Sequence, residues 1–274
     1  MMAIKFGRRA FLAAGVTVGS AGLTRAAVAA GRADLGIQMY SLRGFPVEEA
    51  LHHARDLGLK VVEFYSGMFP VTEDEAAIEA MKRKVAALGL AISAYGVVPF
   101  TQDDDANRRT FAFAKRAGIP TIVADPEPGS FTSLDRLVKE YDIRVAVHNH
   151  GPKHRYDKVL DVLQAIDKHD ARIGACADLG HFIRSGEKPV EVIRLLAGRL
   201  YGIHLKDFAD MAEKTKGVIL GQGHLDVPAV FAALDQAKFP ADGALSLEYE
   251  EHPANPLADL RECVRVAREA MAGA

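Results

Sequence analysis

A single (β/α)8 barrel is the fold this sequence predicts, and three observations predict it. From Asp34 onward, eight short β-rich runs alternate with amphipathic stretches of helical spacing. No Gly/Ser-rich linker or shift of composition divides the chain after residue 34. The 274 residues suit one such barrel, which typically takes about 250. Strands separated by helices pair in parallel, and eight such units close on themselves. An open, doubly wound sheet is the competing arrangement. Against it, the first run ends in Gln38-Met39-Tyr40-Ser41, where a dinucleotide-binding sheet would carry a Gly-rich turn.

Strands are expected at 35–42, 61–65, 92–97, 121–124, 145–150, 173–178, 200–205 and 244–249. Helices are expected between them at 47–57, 75–88, 107–117, 134–141, 156–166 and 190–196, then at 227–236 and 259–270. Apolar residues recur in these stretches at three- and four-residue spacing, which gives each one buried face. Gly58, Gly89 and Gly118 stand just past helical runs, where a left-handed cap suits glycine. Pro46, Pro189 and Pro228 stand at first helical positions, where a missing N–H costs nothing.

Residues 1–30 are set apart as an export signal, leaving 34–274 for the barrel. A basic stretch ends in Arg8-Arg9-Ala10-Phe11-Leu12, a weakly apolar run follows, and Ala27-Val28-Ala29 offers a small-residue cleavage site. The paired arginines resemble a twin-arginine signal, which predicts a periplasmic protein with no membrane contact after cleavage. Residues 1–29 carry Lys5, Arg8, Arg9 and Arg25 and no acid. Removing those four charges takes the formal net charge from -2 to nearer -6. An acidic surface argues against nucleic acid as a partner. The two cysteines, Cys176 and Cys263, are expected to be buried thiols and not a disulfide. Nothing in the sequence bars an oligomer.

In such a barrel the active site forms at the C-terminal ends of the strands. Ionisable residues crowd there: Glu63, Asp125 and Glu127, His148-Asn149-His150, Asp178-Leu179-Gly180-His181, His204-Leu205-Lys206-Asp207, and Glu248-Tyr249-Glu250. Side chains two apart share a face, so His148 points with His150 and His204 with Lys206. Behind them on that face are the small residues Ala146, Gly202 and Ser246. Imidazoles and carboxylates at one level of a buried pocket need a counter-charge, and a divalent cation supplies it. Asp178, His204 and Glu248 are the firm part of that ligand set, and His148 is the fourth candidate. Asp207 is expected instead to cap a helix or pair with a cation. His52, His53, His154, His169, His224 and His252 are expected on solvated helices or loops. Two imidazoles with two carboxylates suit Mn, Co, Zn or Fe better than Ca, with Mg less favoured.

At these residues the chain resembles the xylose isomerase-like barrel superfamily of sugar phosphate isomerases and epimerases. The resemblance runs over essentially the whole of 34–274. It rests on His148-Asn149-His150-Gly151-Pro152, the stretch from Asp178 to Gly186, His204-Leu205-Lys206-Asp207, Gly221-Gln222-Gly223-His224-Leu225-Asp226, and Leu247-Glu248-Tyr249-Glu250. It implies a metal held after strands five to eight by Glu, Asp, His and Glu. Three of these carry over as Asp178, His204 and Glu248. The fifth strand offers His148 where many members have Glu, which puts a two-carboxylate epimerase mechanism in doubt and leaves Glu127 or Glu63 as other sources of a ligand or base. The resemblance also implies that His150, His181, Arg184 and Lys206 bind substrate, with the Arg184 fork suited to sugar oxygens or a carboxylate.

The chemistry that follows is proton transfer beside the carbonyl of a small unphosphorylated sugar or cyclitol. Glu248, His150 or Lys206 would move the protons. An isomerase or epimerase is the first expectation. A lyase or dehydratase, of the inosose dehydratase or 3-keto-glycoside kind, is the second. A non-catalytic periplasmic sugar-binding protein is the alternative of another class. The endonucleases that share this barrel need a basic surface that this chain lacks.

Overall fold

The computed structural model describes residues 31–274, and the expected export signal at 1–30 lies outside the described residues. The strands are β1 (Leu35–Gln38), β2 (Val61–Phe64), β3 (Ala91–Val98), β4 (Thr121–Ala124), β5 (Arg144–His148), β6 (Ile173–Asp178), β7 (Leu200–Leu205), β8 (Asp207–Phe208), β9 (Gly217–Val218) and β10 (Ala244–Leu247). The helices are α1 (Val47–Asp56), α2 (Glu75–Ala87), α3 (Asp104–Ala117), α4 (Phe131–Tyr141), α5 (Val159–Ile166), α6 (Leu179–Arg184), α7 (Pro189–Leu195), α8 (Val227–Gln236) and α9 (Leu257–Gly273). Eight strands pair in parallel as a closed barrel, β1-β10-β7-β6-β5-β4-β3-β2, so the expected (β/α)8 barrel is the observed one. β8 and β9 form a separate antiparallel ribbon over the C-terminal mouth. No helix among the described residues is long and apolar enough to cross a membrane.

Local chemistry accounts for most element ends. Asp74 accepts hydrogen bonds from Ala76 N and Ala77 N to start α2, and Asp103 does the same from Ala106 N for α3. Gly118 closes α3 at a φ of 73°, a left-handed conformation that any Cβ would disfavour. The expected strand 35–42 is halved. After Gln38 the chain turns into a 3-10 segment (Met39–Leu42), because the Gln38 side chain accepts from Tyr40 N and draws the backbone round. The strands expected to reach His150 and Tyr249 stop at His148 and Leu247. α6 has only six residues, too short for a periodic signal, and the ribbon has two residues a side.

The core has two compartments. The larger packs the helices against the outside of the barrel and includes Cys263. The smaller fills the barrel axis with Ala94, Val123, Ala146, Cys176 and Ala244. Small side chains suit the narrow interior, as expected from Ala146 and Gly202, because Gly202 on β7 lies directly beside Cys176 on the neighbouring β6. A Cβ built on Gly202 would lie 2.7 Å from Cys176 Sγ and 3.0 Å from its Cβ. Gly202→Val is therefore expected to cost about 1–3 kcal/mol through overpacking. For a domain of this size each kcal/mol lowers Tm by about 2–4 °C. An unchanged melting temperature in calorimetry would show that the axis has slack. This floor sets the height of the charged layer above it.

Candidate metal centre

β5, β6, β7 and β10 each deliver one ligand-type side chain to the C-terminal mouth. His148, Asp178, His204 and Glu248 are all buried, and each offers an atom within 4.8 Å of the others. His148 Nε2 lies 3.1 Å from His204 Nδ1 and 3.7 Å from Asp178 Oδ2. His204 Nδ1 lies 3.1 Å from Glu248 Oε2 and 4.0 Å from Asp178 Oδ2. A cation bound at about 2.0–2.2 Å to four such atoms would hold them roughly 2.9–4.2 Å apart. The observed spacings fall in that range.

The hydrogen bonds around the cluster aim the atoms inward. Asp178 caps α6 by accepting from His181 N through Oδ1 at 2.8 Å, so Oδ2 is left over. Asp178 Oδ2 and Glu248 Oε2 are the two carboxylate oxygens of the cluster that are buried with no hydrogen-bond partner. Lys206 Nζ lies 3.0 and 2.8 Å from them, close enough for attraction but not in directed hydrogen bonds. Orphaned buried oxygens are costly, and a cation would satisfy both. The residues present fit a divalent ion.

Glu63 is the residue whose place the sequence left open. It is fully buried, yet it stands outside the ligand cluster, behind His204. Its Oε1 lies 3.0 Å from His204 Nε2 and accepts from Gln38 Nε2 at 3.0 Å, while Oε2 accepts from the Ser246 hydroxyl at 2.6 Å. A carboxylate there keeps the proton of neutral His204 on Nε2 and the Nδ1 lone pair facing the cluster. Glu127 is half-buried at the start of a 3-10 turn and joins no cluster. Asp207 does neither of the things expected of it. It is buried, and its carboxylate accepts from the backbone N–H groups of Phe208, Gly221, Gly223 and Leu225, pinning the Gly-Gln-Gly-His loop.

The electrostatics separate the groups. Burial and the neighbouring His204 and His150 rings hold His148 well below the usual imidazole range, so its ring is neutral. Burial also depresses His181, to about 4. For His204, burial opposes the charge but Cys176, Glu63 and Glu248 outweigh it, raising the pKa well above the usual value. For Lys206, burial is likewise outweighed, by Asp178, Glu248 and Glu250, and the ammonium is held well above its usual range. Burial favours neutral Glu248, but Lys206 and His204 keep it well below the carboxylate range.

A proton and a bound metal ion would therefore compete for Nδ1 of His204. Below its raised pKa the ring must lose a proton to bind, so affinity is expected to rise about tenfold per pH unit through neutrality. Metal uptake at pH 7 should release about one proton. Calorimetry in two buffers of different ionisation heat measures that number, and zero would contradict the assignment.

A cavity of about 340 Å³ opens on this cluster, lined in part by Tyr40, Tyr65, His148, His150, His181, Lys206, Glu248 and Glu250. Of the predicted residues, His148, His150, His181, Lys206 and Glu248 line it, Asp178 and His204 belong to the cluster beneath, and Arg184 stands apart. Arg184 lines an adjoining cavity of about 210 Å³ under the ribbon. Its guanidinium lies over the Phe208 ring and donates to Glu213 O at 3.2 Å. His154, expected on the surface, is half-buried and lies 3.3 Å from Asp125 Oδ2 through Nε2. Strand-end position revealed Asp125, but no periodic signal points to His154 in its loop.

Known proteins share this architecture. Over 137 residues the chain is 28% identical to an inosose dehydratase of Clostridium beijerinckii, covering 44% of this chain and 45% of that enzyme. The chain thus spans about half the length of the curated relatives it matches. A solved structure from Parabacteroides distasonis, of a protein without assigned function, superposes with a TM-score of 0.68 at 25% identity, covering 86% of this chain and 98% of that one. The structure of an L-ribulose 3-epimerase superposes with a TM-score of 0.71 at 16% identity, covering 88% and 95%. At that identity the likeness shows the fold alone. Residues 51–270 match the family described as Xylose isomerase-like TIM barrel, and the chain belongs to that family.

Proposed function

We propose that this protein is a divalent-metal-dependent dehydratase or lyase acting on an unphosphorylated keto-cyclitol or keto-sugar. One observation carries the choice over an epimerase. The two carboxylates that line the 340 Å³ cavity, Glu248 and Glu250, both come from the end of β10. Three strands further round the barrel, β5 offers His148 and His150. Epimerisation by two carboxylates needs one on each face of the reacting carbon. Elimination needs a base at the carbon beside the carbonyl and an acid at the leaving oxygen. The match to an inosose dehydratase supports the same reading.

His148, Asp178, His204 and Glu248 would hold the ion, which as a Lewis acid would stabilise negative charge on the substrate carbonyl oxygen. His150, whose pKa burial and His154 depress, is neutral and free to take the proton from carbon. Lys206 keeps its proton and adds positive charge beside the developing enolate. His181 shares the cavity wall and binds substrate hydroxyls. The electron pair of the broken C–H bond forms the new C=C bond, and the β-oxygen leaves as water or an alcohol with the proton that His150 has taken from carbon.

The test is incubation of the Mn-, Co- or Zn-loaded protein with an inosose and a 3-keto-glucoside in deuterated water. Mass spectrometry should show loss of water or release of aglycone. Deuterated epimer with no elimination would return the choice to an epimerase, and no metal-dependent exchange at all would sink both. We further propose export by residues 1–30. Replacing Arg8 and Arg9 by Lys should leave precursor in the cytoplasm on cell fractionation, and periplasmic protein in that variant would refute it.

A further inference from the structure

A second group of ligand-type side chains stands beside the first and shares no residue with it. Asp125, His150 and His154 each offer an atom within 4.8 Å of the other two. Asp125 leaves the end of β4, and His150 lies two residues past β5. The chain then reverses through Gly151 and Lys153, at φ of 86° and 71°, and returns His154 to His150 with ring centroids 4.6 Å apart.

Ordinary pairing leaves this group incomplete. Asp125 Oδ2 has His154 Nε2 at 3.3 Å, but Asp125 Oδ1 is a buried oxygen with no hydrogen-bond partner. The nearest charge to it is Arg155 Nε, at 3.4 Å. Such an atom calls for a partner. The Tyr156 amide donates to His154 Nδ1 at 3.4 Å, a long and therefore weak hold on the tautomer that keeps a proton on Nε2.

We propose that Asp125, His150 and His154 form a second divalent-cation site. Two imidazoles and one carboxylate suit Zn, Co, Mn or Fe, and three protein ligands leave positions open for water or a substrate oxygen. His150 also lines the 340 Å³ cavity, so an ion here stands next to whatever the cavity holds. His148 Nδ1 and His150 Nδ1 are 3.5 Å apart, which makes the two sites neighbours. A second ion would grip a further oxygen of a bound polyol. Its ligands are only half-buried, against the buried four of the first site, so it fills second and more weakly.

An ion here would take the ring lone pair that the reaction above gives to His150 as base, so the two readings compete for one atom, and stoichiometry tests this one by itself. Chelator-stripped full-length protein is titrated with zinc alone, and bound metal is counted by mass spectrometry and calorimetry. Wild type should take about two ions per chain in two affinity classes. His154→Ala and the near-isosteric Asp125→Asn should lose the weaker class and keep the tighter one. His204→Ala should lose the tighter class. Anomalous diffraction at the zinc edge should place the second ion between Asp125, His150 and His154. One ion per chain at saturating zinc would overturn the proposal. So would a second ion that persists in both His154→Ala and Asp125→Asn.

Discussion

His204→Ala is expected to abolish tight metal retention and to lower turnover by about three orders of magnitude or more, since a Lewis acid supplies several kcal/mol to such a step. The ring has no exposed surface and sits between two layers of negative charge. Its Nδ1 lies 3.1 Å from Glu248 Oε2, and its Nε2 lies 3.0 Å from Glu63 Oε1. Alanine removes the ligand and also the group that separates those carboxylates. Leaving a buried charge without its partner costs about 3–5 kcal/mol, so the ion-free variant should also melt earlier. Metal content after gel filtration and a thermal scan read the two effects separately. A variant that kept stoichiometric metal and full activity would remove the centre from this end of the barrel.

The second large effect is expected at a residue that is not a ligand. Glu63→Gln should weaken metal binding by about 10–100-fold, the usual cost of disturbing a group that orients a ligand. Glu63 accepts from three donors: Gln38 Nε2, the Ser246 hydroxyl and the His204 ring. An amide has one acceptor oxygen, so at least one of those donors would face an N–H. Where the amide turns its N–H toward His204, the neutral ring's proton is no longer held on Nε2, and the lone pair at Nδ1 is no longer guaranteed. Competition against a chromogenic chelator measures the change. Wild-type affinity in this variant would mean that Glu63 merely fills space.

These two residues also differ in how legible they were. His204 declared itself, because it ends a β-rich run at the level of Asp178 and Glu248 in their own runs. Glu63 was equally visible as a strand-end acid, but its role was not. It depends on β2 lying three strands from β7 round a closed barrel, with β1 and β10 between. Asp207 misled for a similar reason. A strand-end acid usually caps or pairs, and this one collects four backbone N–H groups from residues up to 18 positions away. His154 looked like a loop histidine, and only the left-handed turn at Gly151 and Lys153 carries it back to Asp125.

Sequence alone determined the eight strands, their alternation with helices and the end of the barrel at which charge accumulates. Those features follow from periodicities of two and 3.6 residues, which covalent geometry imposes on any stretch of chain. Tertiary structure alone decided that Glu63 stands behind His204 while Asp178 and Glu248 face the cluster, that Arg184 lines a neighbouring cavity, and that Asp125, His150 and His154 meet. Such partnerships depend on barrel closure and on the register between strands distant in sequence. Neither leaves a periodic trace in the chain.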